Sequence, residues 1–300
     1  ASTQITRGCY LITTDSDTSW RYSPNGLIPE GENLPEGVKR IAAAVEYDGS
    51  SFCGWQRQSH SPSVQAEVEA ALTTVANESV VVACAGRTDT GVHGTNQIIH
   101  FDTRAERQSR NWLLGTNANL PYGIRLHWVE EMPSQFHARF SATARTYRYV
   151  ITNQPQRSAL FHHWLTWEKK TLNEKIMDQA AQHLLGENDF SSFRAAGCQS
   201  NTPNRNVHAV KVWRQASLVI LEITANAFLH HMVRNIVGSL LCVGRGERPA
   251  DWLGDLLESR DRTKAAPTAP SNGLYLVKVS YPNQFGIPEF TLGPQFVAGV

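Results

Sequence analysis

The stretch VVVACAGRTDTGVHGTNQIIHF, residues 80–101, sets the frame for reading the chain. It opens on the β-branched run Val80 to Ala83 and closes on alternating Ile99 and Phe101, an order that predicts strand, loop, strand. The loop between them packs three glycines, one carboxylate (Asp89) and two potential cations (Arg87 and His93) into the ten residues Ala85 to Gly94. Glycine admits positive φ and close approach of a ligand to the backbone. Such a loop can hold Asp89 at the surface of a cleft, with Arg87 two residues away keeping the carboxylate ionised.

Outward from this loop the pattern stays mixed. Val38 to Tyr47 predicts a strand, followed by the turn signal Asp48-Gly49-Ser50-Ser51 and an aromatic and basic loop from Phe52 to Gln58. Ser63 can cap a helix whose Val64, Val68, Ala71, Leu72 and Val75 share one face and which ends near Asn77. Ile124, Leu126 and Trp128 alternate as a strand does, and so do Tyr147, Tyr149 and Ile151. A helix is expected from Asn173 to Leu185, stopped by Gly186, then strands at Val207 to Trp213 and Leu218 to Ile223, a helix from Leu229 to Val243, and a last strand from Leu274 to Val279. The expected fold class is α+β: two similar halves with antiparallel sheet, one or two, flanked by helices around a central cleft. The domain reading is an extension over 1–37, a half carrying the Asp89 loop over 38–145, and a second half over 146–300 completing the cleft.

Composition narrows the function classes. Among 300 residues, 41% are hydrophobic and no apolar run approaches the roughly 18 residues of a membrane span. Five scattered cysteines without a CxxC pair argue against a secreted disulfide framework and for a reducing cytoplasm. The net charge of +1 hides an asymmetry: residues 1–131 hold 10 Lys/Arg against 15 Asp/Glu, whereas residues 132–246 hold 13 against 6. Within this basic strip Arg139, Arg145, Arg148, Arg194, Arg205, Lys211 and Arg214 are candidates for a nucleic-acid backbone. The chain lacks a dinucleotide loop, a P-loop and a metal-spaced Cys/His set, so no cofactor, nucleotide or metal is implied. His230 and His231, read as neighbours on a helix, would point apart, which argues against a shared metal and for a solvated or core-edge role.

Taken alone, Asp89-Thr90-Gly91 fits a helix cap or turn, or the active-site triplet of an aspartic protease. The protease reading lacks a hydrophobic strand directly before the triplet and a second copy of it. A catalytically silent RNA-binding protein is a further alternative that the basic strip alone would satisfy.

Motifs spread along the chain resemble the TruA family of tRNA pseudouridine synthases. They are Glu46-Tyr47-Asp48-Gly49, Gly54-Trp55-Gln56-Arg57-Gln58, Ser63-Val64-Gln65, the Asp89 loop, Asn117 to Pro121, Phe136 to Ala142, Tyr147-Arg148-Tyr149, Gly186 to Phe190, Phe228 to Asn235 and Gly273 to Leu276. The resemblance covers roughly residues 38 to 294. It implies a pseudouridine synthase fold and isomerisation of uridine at positions 38, 39 and 40 of the tRNA anticodon stem-loop by a cofactor-free homodimer. It also implies Asp89 as catalytic residue, Arg87 as its partner, Tyr147 and Arg234 in the active site, and Leu274 lining the base pocket. Tyr147 would stack on the flipped base, and Arg139, Arg145, Arg148 and Arg205 would meet tRNA. Thr90 stands where the family pattern usually has Ala, and the extension to about Gly37 has no counterpart in it.

Overall fold

Lys39–Tyr47 (β1) buries both of its faces, because small Ala42 and Ala44 alternate with Ile41, Ala43 and Val45. A strand of that kind belongs inside a sheet. In the computed structural model, which describes residues 34–297, β1 is flanked by His93–Thr103 (β3) and Ile124–Met132 (β4), antiparallel to both. Ala83–Cys84 (β2) adds a short rung to β3. Val64–Ala76 (α1) and Ser109–Asn119 (α2) cover the face that carries Ile41, Ala43, Val45, Ile99 and Phe101. The Ser63 side chain accepts from the Ala66 amide, the expected cap, and Asn77 ends α1 in the left-handed region.

The second half is built on Ala144–Asn153 (β5), with Thr166–Glu168 (β6) parallel to it, then Gly186–Asp189 (β7), Asn204–Gln215 (β8) and Leu218–Ala225 (β9). Glu174–Ala181 (α3), Met232–Gly244 (α4) and Trp252–Ser259 (α5) pack on the face of β5 that carries Tyr147, Tyr149 and Ile151. Tyr149 is fully buried there, its hydroxyl donating to the Pro270 carbonyl, in keeping with the packing role its alternation predicts.

Leu274–Ser280 (β10) joins the halves. It pairs antiparallel with β5 and, over Tyr275 and Leu276, parallel with the start of β3. The outcome is one ten-stranded sheet whose main path runs β4-β1-β3-β10-β5-β9-β8-β7. The helices lie on opposite faces at its two ends, α1 and α2 on one and α3 to α5 on the other. The α+β class with a flanked, mainly antiparallel sheet is therefore present, and of the two expected arrangements the continuous sheet is the one formed.

Several elements differ from expectation. The run at Val80 to Ala83 pairs only at Ala83–Cys84. The helix expected from Asn173 runs from Glu174 to Ala181 and tightens into a 3₁₀ turn at Gln182–Leu184. The helix expected from Leu229 starts at Met232. Among the described residues no helix is long and apolar enough to cross a membrane, and Cys53, Cys84, Cys198 and Cys242 are free. The extension over 1–37 falls, apart from its last four residues, outside the described residues.

Candidate active site

The Asp89 loop leaves β2 and enters β3 at the seam where β10 joins the halves. Its backbone is tied down on several sides. The Ala85 amide donates to the Ile98 carbonyl at 2.8 Å, and the Gln97 side chain both accepts from the Gly86 amide and donates to the Gly86 carbonyl. Tyr47 and Thr88 share a buried hydroxyl hydrogen bond of 2.8 Å. The loop from Phe52 to Gln58 closes over Thr88, whose carbonyl accepts from the Trp55 amide at 3.0 Å. That approach requires glycine at position 54: its φ is +91°, and a Cβ there would stand 2.8 Å from the Thr88 carbonyl oxygen.

Asp89 thus lies at the wall of an open cleft of about 580 Å³ lined by Cys53, Gln56, Gln58, Arg87, His230, His231, Arg234 and Ser271 among others. It is the one carboxylate among the described residues of that lining. Arg234 places Nη1 3.4 Å from Asp89 Oδ2, while its Nε donates to the Ala269 carbonyl. His231 Nε2 lies 3.3 Å from the same oxygen, and His230 Nε2 lies 3.5 Å from Oδ1. Burial pushes the His231 imidazole below its ordinary range, against the pull of Asp89, with His230, Arg234 and Arg262 adding to the depression.

Tyr147 stands behind the loop on β5. It is buried edge-on to Phe228, with ring centroids 4.9 Å apart, and its hydroxyl faces Gly86, where a Cβ would be 3.8 Å away. Burial raises its phenol well above the ordinary value, and the charge of Asp89 raises it further. The phenol therefore stays neutral at physiological pH. Leu274 is buried at the start of β10, paired with Tyr149, in the same apolar cluster as Tyr147.

This arrangement lies in a chain whose residues 43–141 and 180–282 match the family model described as tRNA pseudouridine synthase. The chain belongs to that family. The tRNA pseudouridine synthase A of Histophilus somni strain 129Pt is 56% identical over 258 residues, covering 86% of this chain and 96% of that protein. The synthase A of Shewanella denitrificans is likewise 56% identical, over 86% of this chain and 99% of its own length. A solved Cbf5-Nop10-Gar1 complex overlaps 79% of this chain and 48% of its own at 12% identity with a TM-score of 0.34, too slight a likeness to carry an argument.

Three expectations for the synthase site are corrected. Arg87 is exposed on the cleft and makes no ion pair with any described residue; the cation in contact with Asp89 is Arg234. His230 and His231 do not point apart, because they precede α4 rather than lie in it. With φ of 59° at His231, both rings turn toward Asp89, their centroids 3.9 Å apart. Their nitrogens and the carboxylate lie within 4.8 Å of one another, a spacing a divalent cation accepts, although the Arg234 cation already occupies the same carboxylate.

The third correction concerns the basic strip. Arg145 is clamped to the carbonyls of Ala85, Arg139, Ala142 and Asn226, and so staples the base of the Asp89 loop to the second half. Arg148 projects from the opposite face of β5 to Tyr147, pairing with Glu222 at 2.7 Å and donating to the Leu292 and Gly293 carbonyls. Arg194 and Arg205 brace the loop around Cys198 to Asn204, and Arg214 pairs with Glu174. Arg139, over the exposed Phe140 ring, and Lys211, over Trp213, keep surface positions. The lining residues Cys53, Gln56, Gln58 and Ser271 carried no role in the sequence reading; for the two glutamines the signal was their place in Gly54 to Gln58.

Proposed function

We propose that this chain isomerises uridine to pseudouridine in tRNA, with Asp89 as the catalytic residue. The carrying observation is that Asp89 is the one carboxylate in the described lining of the cleft, gripped by Arg234, in a chain of this synthase family. The reaction breaks the N1–C1′ bond of uridine, turns the base and forms a C5–C1′ bond. A proton leaves C5 and N1 gains one, so no atoms or electrons are gained or lost overall.

Each residue has a matching task. Asp89, hydrogen-bonded by Arg234, supplies the nucleophile or base. A target uridine has to leave its stack to reach it, and Tyr147 offers an aromatic ring and a neutral hydroxyl to receive the base, with Leu274 behind it. Arg87 and Arg139, free of carboxylate partners among the described residues, face solvent and suit phosphate contacts. The same reading has the halves 38–145 and 146–300 share one sheet, takes uridines 38 to 40 of the anticodon stem-loop as targets, and expects a homodimer working in the cytoplasm.

The test is positional. An unmodified tRNA transcript incubated with the protein, then mapped for pseudouridine by carbodiimide-dependent primer extension, is expected to show product in the anticodon arm. Product confined to another arm would reject the target assignment, and none at all would reject the activity.

A further inference from the structure

Among the described residues, His231 is one of four non-glycine residues with positive φ, and the only one of the four lining the cleft. Backbone of this kind persists where the surroundings over-determine it, and it concentrates at functional sites. Its consequence is geometric. In a regular helix, consecutive side chains diverge by about 100°. The left-handed turn at φ 59°, ψ 8° cancels that divergence, so that His230 and His231 reach the two oxygens of one carboxylate.

The two oxygens are not held alike. Oδ2 accepts a hydrogen bond from Arg234 Nη1 at 3.4 Å and has His231 Nε2 in contact at 3.3 Å, from side chains that are 16% and 28% exposed. Among the described residues Oδ1 meets only His230, at 3.5 Å, from a side chain 43% exposed. Arg234 is itself fixed through Nε to the Ala269 carbonyl, so the grip on Oδ2 is rigid while that on Oδ1 can be displaced.

We propose that His231 is a positioning residue: it pins Asp89 Oδ2 together with Arg234 and leaves Oδ1 as the oxygen that reacts, the His230 ring giving way to the incoming uridine. This rests on the reading of Asp89 as the catalytic carboxylate. His231 Nε2 stands 3.3 Å from Oδ2, within reach of it in the tautomer that carries a proton there, and burial disfavours a second positive charge on the ring. Arg234 supplies the charge and His231 the direction.

The experiment separates ring from backbone. His231→Gly keeps the left-handed backbone without a side-chain penalty and deletes the ring; His231→Gln restores an N–H donor at nearly the reach of Nε2. The readouts are the single-turnover rate of pseudouridine formation at saturating tRNA, the tRNA Kd and Tm, with Asp89→Asn run in parallel. His231→Gly is expected to lower the rate roughly 10- to 100-fold, the usual effect of losing a residue that orients a reactive group, with Kd and Tm unchanged. His231→Gln is expected to recover most of that loss. A wild-type rate in His231→Gly overturns the proposal, and so does a loss that follows Tm or Kd and is not rescued by glutamine. If Asp89→Asn keeps the wild-type rate, the failure lies in the assignment of Asp89 instead.

Discussion

Tyr147 joins burial, an aromatic face and a hydroxyl directed at the Asp89 loop, and these can be told apart by removing one oxygen. Tyr147→Phe is expected to leave the tRNA Kd within about twofold while lowering turnover roughly 10²- to 10⁴-fold, the range for loss of a proton-transferring group; stopped assays with filter binding read both. Because burial and Asp89 raise the phenol, the neutral ring's contribution to stability is intact below its ordinary value of 10.0 and declines as pH climbs from there toward the raised value. Thermal melts from pH 8 to 11 should show Tyr147→Phe losing less stability than wild type above pH 10. Asp89, Tyr147 and Arg234 were singled out by the resemblance of their motifs to the TruA family, and of the three only the Asp89 loop drew notice from its own residues; the structure brings Arg234 against Asp89 and the Tyr147 hydroxyl toward Gly86. The pairing of Asp89 with Arg87 was not: proximity along the chain does not fix where a long side chain points, and the cation that meets Asp89 comes from 145 residues away. The histidines were misread for a related reason, since no residue type in Phe228-Leu229-His230-His231 announces a left-handed turn.

Periodicity found the elements whose burial is one-sided or β-branched, and missed those held by context. α1 was legible from Ser63 and its apolar face, whereas α2, reading SRNWLLGTNAN, carries Gly115 and three asparagines, poor helix formers, and is held by Trp112 buried against Phe101. The Val80 run looked like a strand because of its valines, yet most of it buries those valines without pairing. Gly54 tests how tightly one loop sets another: Gly54→Ala puts a Cβ against the Thr88 carbonyl at positive φ. It is expected to destabilise the fold by about 1–3 kcal/mol and to lower pseudouridine formation by moving the Asp89 loop, read by denaturant melts beside the activity assay. In the β1–β3 pair, Arg40, 4% exposed, holds Asp102 through two 2.7 Å hydrogen bonds and donates to the Ser134 and Phe136 carbonyls. Asp102→Ala strands that buried cation and is expected to cost about 3–5 kcal/mol, visible in the same melts; an effect below about 1 kcal/mol would show that the pair is solvated.

Across the whole molecule the cleft sits where the halves meet, because β10 returns from the end of the second half to lie between β3 and β5. That return was not legible from the sequence: a strand of seven residues with both faces buried gives no sign of which edges it will join. Charge counting was likewise correct in sum and misleading in detail, since five arginines of the basic strip are spent on carbonyls and carboxylates of the fold. Salt titration of tRNA binding separates the two uses. Arg87→Ala should reduce the slope of log K against log salt by about 1, while Arg148→Ala should leave the slope unchanged and lower Tm; the reverse pattern would exchange their roles. The central claim, that Asp89 catalyses uridine isomerisation in tRNA, is tested most directly by pseudouridine formed in an unmodified tRNA transcript under single-turnover conditions, wild type against Asp89→Asn. Pseudouridine with wild type alone, while Asp89→Asn binds the transcript with an unchanged Kd, is the predicted result; equal conversion by both proteins would contradict it.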